Sequence, residues 1–290
     1  MALKVACAQI APFKGDLERN LDTIAASIQQ SASEGVDLVA FPETAVSGYF
    51  LEGGVLEKSL TSEQLLKALS SRLHLERPID AIIGFYEQEE SMLYNSAAYL
   101  EFGPEPRLVH TYRKFFLPTY GVFDEERFVS RGRQLGVFDS RLGRIAILIC
   151  EDIWHSVLST LAAVAGATIM VVPSASPARG FESDKPQNLE RYQRMVRAVA
   201  EEHGLFCLNC QLCGFEGGKG FVGGSMIVGP DGTLIAQGPV QAEYLLTAEI
   251  DLAASALARA QTPLLSDLQS AWGDITRIVC ELDRHQPLTF

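Results

Sequence analysis

The number of short apolar segments constrains the fold of this 290-residue chain more than any other feature of its sequence. About ten to twelve segments of strand length are bounded by proline, glycine or polar residues and alternate with amphipathic helical patterns. The first unit is a strand over 4–10, a helix over 17–32 and a second strand over 36–41. This number of strands is too large for a simple doubly wound sheet. The pattern therefore predicts two sheets packed face to face with helices outside, which is an α-β-β-α sandwich.

The composition is that of a globular protein, and the charge disfavours nucleic acid and membranes as partners. No composition break or repeat divides the chain, so residues 1–290 are predicted to form a single domain. A net charge of −12 disfavours phosphate backbones and anionic bilayers, and neither nucleic acid nor membrane is expected as a partner. No apolar run reaches the ~18 residues of a membrane span. The N-terminus reads as a strand rather than a signal peptide, which predicts a cytoplasmic protein.

Three apolar segments each carry a reactive residue at or just past the predicted strand end. The segments LVAFPE, HTYRK and ILICED contain Glu43, Lys114 and Cys150. Functional groups gather at strand ends in α/β proteins. A carboxylate that moves a proton, an ammonium that stabilises an oxyanion and a thiolate nucleophile would make a hydrolase, and Lys114 beside Cys150 would lower the pKa of the thiol. Taken singly, each residue is more often structural, and the periodicity does not show that the three meet.

In order and context, the three segments resemble the signature motifs of the nitrilase superfamily of carbon–nitrogen hydrolases. FPET, YRKFFLP and CEDIW match the motifs that carry the glutamate, lysine and cysteine of that superfamily. The resemblance implies an α-β-β-α sandwich in which Glu43 is the general base, Lys114 stabilises the oxyanion and Cys150 is the nucleophile. Many members carry a second glutamate eleven residues after the lysine, and position 125 is Glu125 here. The resemblance implies that Glu125 holds Lys114 and the leaving amide, whereas the alternative is an exposed acidic loop residue.

A closer resemblance is to the glutaminase domain of glutamine-dependent NAD synthetase. It rests on LPTYGVFDE, CEDIW and PSASP, and in that domain the matching positions border the glutamine pocket. The matching residues here are Tyr120, Trp154, Ser174 and Ser176. Packing aromatics and strand-end serines are the structural alternative. Arg179 is expected either to bind a substrate carboxylate or to lie in solvent, and the backbone N–H of Glu151 is expected to join the oxyanion site.

The resemblance implies hydrolysis of a small carboxamide to acid and ammonia through a cysteine thioester, of glutaminase or ω-amidase type and without a cofactor. Nitrile hydrolysis, N-carbamoyl hydrolysis and supply of ammonia to a synthetase are alternatives, and a non-catalytic binding module is a rival of another class. The sequence ends at Phe290 without a segment resembling the ATP-binding synthetase domain, so a free-standing amidase or an ammonia-supplying subunit is expected. Members of the family commonly form dimers. A homodimer or higher homo-oligomer is therefore expected, with the helical tail over 264–280 as a candidate interface.

Two further patterns are discounted. Cys207, Cys210 and Cys213 have the spacing of a metal motif, but they fall on a predicted strand and no fourth cysteine follows nearby. No metal site is therefore predicted. His155 lies five residues after Cys150 and raises a Cys–His hydrolase as the rival chemistry, but no papain-like or caspase-like signature surrounds it. It is predicted to be structural or to line the pocket.

Overall fold

Fourteen strands and eight α-helices occupy the part of the chain that the structure, a computed structural model, describes: residues 1–178 and 187–285. The strands are β1 (Ala2–Gln9), β2 (Leu38–Ala40), β3 (Ile79–Glu89), β4 (Met92–Phe102), β5 (Arg107–Arg113), β6 (Val137–Ser140), β7 (Gly143–Ile147), β8 (Ile169–Ser174), β9 (Phe206–Gln211), β10 (Cys213–Glu216), β11 (Lys219–Val222), β12 (Met226–Val228), β13 (Leu234–Gln237) and β14 (Tyr244–Asp251). The helices are α1 (Leu17–Ser33), α2 (Val55–Lys58), α3 (Ser62–Ser70), α4 (Ser156–Val164), α5 (Gln187–His203), α6 (Ala253–Gln261), α7 (Leu264–Ser270) and α8 (Trp272–His285). Short 3₁₀ turns lie at Glu52–Gly54, Glu125–Arg127 and Cys150–Trp154.

The strands form two six-stranded mixed sheets and one two-stranded ribbon. The first sheet has the order β14-β1-β2-β3-β4-β5 and the second the order β13-β12-β9-β8-β7-β6, while β10 pairs with β11. In each sheet the central strands are parallel and the flanking strands are antiparallel: β1, β2 and β3 run parallel in the first, and β7, β8 and β9 in the second. Parallel central strands have their carboxyl ends at one edge, which is where a site can be assembled.

The apolar side chains form layers that confirm the predicted α-β-β-α sandwich. On the outer face of the first sheet, Ile28 of α1 and Leu65 of α3 belong to one buried cluster with strand residues such as Val39. A larger cluster fills the space between the sheets and continues to α4 and α5. The Cys210 Sγ of β9 lies 3.2 Å from the Ala40 carbonyl oxygen of β2, so the two sheets are in direct contact.

Local sequence signals explain where the outer helices begin. Asp16 caps α1 by accepting a hydrogen bond from the Arg19 N–H at 3.3 Å. Thr61 and Gln64 form a reciprocal capping box at the start of α3. The tail is helical as predicted, and α8 carries exposed apolar side chains, but its proposed role as an interface stays a prediction. Among the described helices, none is both long and apolar enough to cross a membrane.

Candidate active site

Glu43 and Lys114 form a buried ion pair at the edge of the first sheet. Glu43 follows β2 and Lys114 follows β5, and both side chains are fully buried. The Lys114 Nζ lies 2.7 Å from the Glu43 Oε1. The Asn95 side chain donates to the same oxygen at 2.8 Å, and the backbone N–H of Ala175 donates to the Glu43 Oε2 at 2.9 Å. Four elements therefore fix this carboxylate: its own segment, β4, the residue after β5 and the residue after β8.

Glu125 lies on the opposite side of the same ammonium group. Its Oε1 accepts a hydrogen bond from the Lys114 Nζ at 2.6 Å and another from the Tyr49 hydroxyl. Burial raises the pKa of Glu125 to about 7, although the Lys114 charge acts against this shift. Within the described residues its buried Oε2 has no hydrogen-bond partner. Glu125 is therefore not an exposed loop residue, and one of its oxygens is available to another group.

Lys114 is held as a cation. Burial alone would lower its pKa, but the Glu125 and Glu43 carboxylates raise it well above the usual value. An ammonium group has three N–H donors, and two of them are used on these carboxylates. The third is the donor that could bind a developing oxyanion.

The segment after Glu43 is fixed by close backbone packing. A Cβ at Gly84 of β3 would lie 2.3 Å from the Pro42 carbonyl oxygen, so only glycine fits there. The Glu216 carboxylate of β10 accepts hydrogen bonds from the backbone N–H groups of Tyr49 at 2.8 Å and Phe50 at 3.0 Å. These contacts place the Tyr49 hydroxyl against Glu125. The supporting role of Glu216 was not predicted from the sequence.

Cys150 begins a 3₁₀ turn three residues after the last residue of β7 and has a positive φ of 49°. A non-glycine residue rarely adopts this left-handed conformation, and such strain is typical of functional turns. Burial raises the pKa of the thiol well above its usual value and the Glu43 charge adds to the shift, whereas Lys114 and a hydrogen bond to Tyr192 oppose it. Lys114 therefore acts on the thiol pKa in the expected direction, but burial outweighs the ammonium group and the net pKa is raised.

Asp152 joins the segment after Lys114 to the turn at Cys150. Its Oδ1 accepts from the backbone N–H groups of Phe115 at 3.1 Å and Phe116 at 2.8 Å. Its Oδ2 accepts from the Tyr112 hydroxyl at 2.8 Å and the Ile149 N–H at 3.0 Å. Burial raises the pKa of this carboxyl to about 6. The aspartate of CEDIW thus positions both the lysine segment and the cysteine turn.

Cys150 opens into a cavity of about 340 Å³. Its lining residues are Pro118, Tyr120, Phe123, Cys150, Glu151, Trp154, His155, Ser176, Pro177, Asn188, Arg191 and Tyr192. Four of the residues predicted to bind substrate therefore lie together here: Tyr120, Glu151, Trp154 and Ser176. The Tyr120 hydroxyl donates to the Glu151 Oε2 at 2.9 Å, which fixes a carboxylate beside the thiol.

Two predicted substrate-binding residues are not part of this lining. Ser174, the last residue of β8, accepts a hydrogen bond from the Asn209 side chain at 2.9 Å within the second sheet. Its hydroxyl is therefore engaged in the sheet, and the prediction that it borders the pocket is corrected. Arg179 lies outside the described residues.

Three polar residues of α5 line the cavity and were not predicted from the sequence. Asn188, Arg191 and Tyr192 are spaced at i, i+3 and i+4, which places them on one face of the helix. The Arg191 guanidinium carbon lies 4.2 Å above the Trp154 ring, and the Tyr192 hydroxyl lies 3.2 Å from the Cys150 Sγ. This spacing was the signal available in the sequence.

His155 and the three spaced cysteines do not lie where a Cys–His hydrolase or a metal site would place them. The His155 ring stacks on Phe116 at 3.7 Å between centroids, whereas the Cys150 Sγ is hydrogen-bonded to the Tyr192 hydroxyl. Cys207 and Cys210 are buried in β9, and Cys213 is buried at the start of β10. In residues 1–178 and 187–285, no three His, Cys, Asp or Glu side chains are grouped so that they could hold a metal ion.

Comparison with known proteins gives one consistent family. Residues 4–260 match the family model described as carbon-nitrogen hydrolase. The chain is 31% identical over 253 residues to a glutamine-dependent NAD(+) synthetase of Thermotoga maritima, with 86% of this chain and 42% of that protein covered. It thus spans less than half the length of that relative.

Two solved structures illustrate the structural likeness. The glutamine-dependent NAD+ synthetase of Acinetobacter baumannii superposes with a TM-score of 0.78 at 28% identity, covering 88% of this chain and 47% of that one. A variant of an amidase from Nesterenkonia sp. AN1 superposes with a TM-score of 0.74 at 24% identity, covering 94% of this chain and 96% of that one. In that variant the acetamide moiety of fluoroacetamide is covalently added at the active-site cysteine.

Proposed function

Since the chain belongs to the carbon–nitrogen hydrolase family, we propose that it hydrolyses a small carboxamide to a carboxylic acid and ammonia through a thioester on Cys150. The observation that carries this proposal is the buried cluster of Glu43, Lys114 and Glu125 beside a cysteine that opens into a cavity of about 340 Å³. A base, a cation and a sulfur nucleophile are the groups that acyl transfer from an amide needs.

In the first half of the reaction, Glu43 takes the proton of the Cys150 thiol and the sulfur attacks the amide carbon. A base is required because burial raises the pKa of this thiol, so it does not ionise spontaneously at neutral pH. The third N–H of Lys114 and the backbone N–H of Glu151 bind the oxyanion. Such a donor typically lowers the barrier by about 3 kcal/mol.

In the remaining steps, Glu43 first acts as an acid and then again as a base. Glu43 protonates the nitrogen, the C–N bond breaks, and ammonia leaves a thioester on Cys150. Water gives a proton to Glu43 and attacks the thioester carbon, and the sulfur leaves and regains a proton as the acid is released. The unpartnered Oε2 of Glu125 supports a role for this residue in accepting an N–H of the substrate amide.

The charged residues of the cavity support a substrate of glutamine or ω-amide type, a small polar carboxamide with a distal charged group. Glu151 offers a carboxylate to an ammonium group, and Arg191 offers a guanidinium to a carboxylate. Arg179 was predicted from the sequence to bind the substrate carboxylate, and it remains a candidate for that role in addition to Arg191. The relatives that are named as glutamine-dependent support the same substrate class.

The test compares kcat/KM for glutamine and related ω-amides with kcat/KM for neutral aliphatic amides, N-carbamoyl compounds and nitriles, using ammonia release as the readout. We expect the charged ω-amides to be preferred by about 100-fold, because a neutral amide leaves the guanidinium group of the site without a carboxylate partner. The preference should fall in Arg191→Ala or Arg179→Ala. Arg194→Ala, an exposed arginine of the same helix outside the cavity lining, is the control.

The outcomes test the substrate class and the amidase activity separately. Faster turnover of neutral amides, or an unchanged ranking in both arginine variants, would reject the ω-amide substrate but keep the amidase. Turnover of nitriles or N-carbamoyl compounds without turnover of any amide would reject the amidase.

A further inference from the structure

Tyr192 supplies a hydroxyl to the sulfur from an element that carries none of the proposed catalytic residues. It lies on α5, its side chain is buried, and its oxygen is 3.2 Å from the Cys150 Sγ. The Tyr192 ring packs edge-on against Trp154, with centroids 5.6 Å apart and planes at 74°. This packing holds the hydroxyl beside the sulfur.

The ionisation state of the sulfur decides the direction of this hydrogen bond. With a neutral thiol either atom can donate, but a thiolate has no proton and can only accept. Among the described residues, the groups that also act on the sulfur include the Glu43 carboxylate, the Lys114 ammonium and the backbone N–H of Ala175. Glu43 disfavours a thiolate, and Lys114 is already shared between two carboxylates. The Tyr192 hydroxyl is thus a neutral donor whose bond strengthens when the sulfur becomes negative.

We propose that Tyr192 is a further catalytic residue that donates a hydrogen bond to the Cys150 sulfur whenever that sulfur carries negative charge. The inference rests on the proposed role of Cys150 as nucleophile. The sulfur is negative twice: after its proton passes to Glu43, before the C–S bond forms, and again when that bond breaks in thioester hydrolysis. Tyr192 keeps its own proton throughout, so proton balance is unchanged. Both half-reactions should therefore depend on the hydroxyl.

The test reads sulfur ionisation without using amide turnover. The parent and Tyr192→Phe are alkylated with iodoacetamide at a series of pH values, and the rate at Cys150 is followed by peptide mass spectrometry. The exposed Cys280 of α8 is an internal reference in the same molecule. We expect alkylation of Cys150 at neutral pH to slow by about tenfold or more, because a hydrogen bond to a charged group is lost. The midpoint of its pH profile should move to higher pH, and the rate at Cys280 should not change.

Two further variants keep the result interpretable. Replacement of Tyr192 by 3-fluorotyrosine preserves the shape of the ring but makes the hydroxyl a stronger donor, so the Cys150 profile should move to lower pH. Tyr99→Phe removes a buried hydroxyl that donates to Asp80 at 2.5 Å, remote from the sulfur, and should leave the profile unchanged. Thermal unfolding of each variant checks the fold.

The kinetic readout is the ratio of kcat/KM between the parent and Tyr192→Phe. It should be about ten or more at neutral pH, and it should shrink as pH rises and the thiol ionises unaided. Superimposable alkylation profiles for the parent, Tyr192→Phe and the fluorotyrosine protein would overturn the proposal. Retention of amide turnover by Cys150→Ala would instead reject the proposed nucleophile, so the two failures are distinguishable.

Discussion

The Lys114 Nζ is 2.7 Å from the Glu43 Oε1, and this pair joins two strand ends of one sheet in a site from which solvent is excluded. With Glu125 on its other side, the cluster holds one ammonium between two carboxylates and beside a thiol. Transfer of the Cys150 proton to Glu43 leaves the total charge of this cluster unchanged. That matters because creating a new net charge in a buried site costs several kcal/mol. The geometry therefore favours internal proton transfer over a preformed thiolate.

The first prediction concerns the nucleophile. Cys150→Ala should abolish ammonia release from amides, because the sulfur is the covalent participant of both half-reactions. The free energy of unfolding should change by no more than about 1–2 kcal/mol, since one small buried group is removed. Ammonia release and urea denaturation measure the two effects. Residual activity within tenfold of the parent would mean that another residue is the nucleophile.

The second prediction concerns the two charged partners of the sulfur. Glu43→Gln and Lys114→Ala should each be nearly as damaging as Cys150→Ala, and the double variant should lose little more than either single variant. Groups that act as one unit give losses that do not add. Single-turnover rates of thioester formation are the measurement. Independent roles would instead give a double loss equal to the product of the single losses.

The third prediction is a pH dependence of stability caused by Glu125. Its pKa in the folded protein is about 7, above the value of about 4.5 for an unperturbed glutamate. The folded state therefore binds the proton more tightly than the unfolded state does. This stabilisation is fully present below the unfolded pKa and is lost as pH rises through about 7.

Comparison of the parent with Glu125→Gln isolates this effect. The parent should lose about 1.4 kcal/mol of unfolding free energy per pH unit relative to the variant between about pH 5 and 7. Urea denaturation at several pH values measures the difference. Glu126→Gln, which removes the neighbouring exposed carboxylate, is the control and should give a constant difference. A constant difference for Glu125→Gln as well would show that Glu125 is ionised across this range.

The layer architecture could be predicted from the sequence because it depends on local patterns. Helix α1 has its apolar stripe and its Asp16 cap, and its predicted range of 17–32 lies within one residue of the observed Leu17–Ser33. The strand count was too low, and α6 was not predicted. Strands β10 and β11, which were not predicted, have only four residues each, and short segments acquire strand character from their pairing partners rather than from their own composition.

The parts of the candidate site that lie in recognisable motifs could be predicted from the sequence. The parts whose position or pKa depends on tertiary packing could not. Glu43, Lys114 and Glu125 meet as expected from the resemblance. The net rise in the Cys150 pKa could not be predicted from the sequence, because burial depends on elements distant in the chain. Ser174 and Ser176 look alike in PSASP, but the hydroxyl of Ser174 is engaged by Asn209 of a neighbouring strand. Tyr192 belongs to no motif that the sequence analysis used.

The last prediction concerns Asp152, which accepts four hydrogen bonds from both sides of the site. Asp152→Asn keeps the size of the side chain but replaces one carboxylate oxygen with an N–H donor that faces other donors. If the amide nitrogen faces Phe115 and Phe116, both of their N–H groups lose their acceptor, and if it faces Tyr112 and Ile149, the Ile149 N–H does, because only the Tyr112 hydroxyl can turn to accept. Buried donors are left unsatisfied in both cases, so we expect a loss of about 1–3 kcal/mol in unfolding free energy. Activity should also fall, because either Ile149 next to Cys150 or Phe115 next to Lys114 loses the acceptor that aligns it. Urea denaturation and kcat measure these effects, with Asp139→Asn as the control at an exposed aspartate of β6. A loss below about 1 kcal/mol would mean that the backbone holds the cysteine turn and the lysine segment together without this carboxylate.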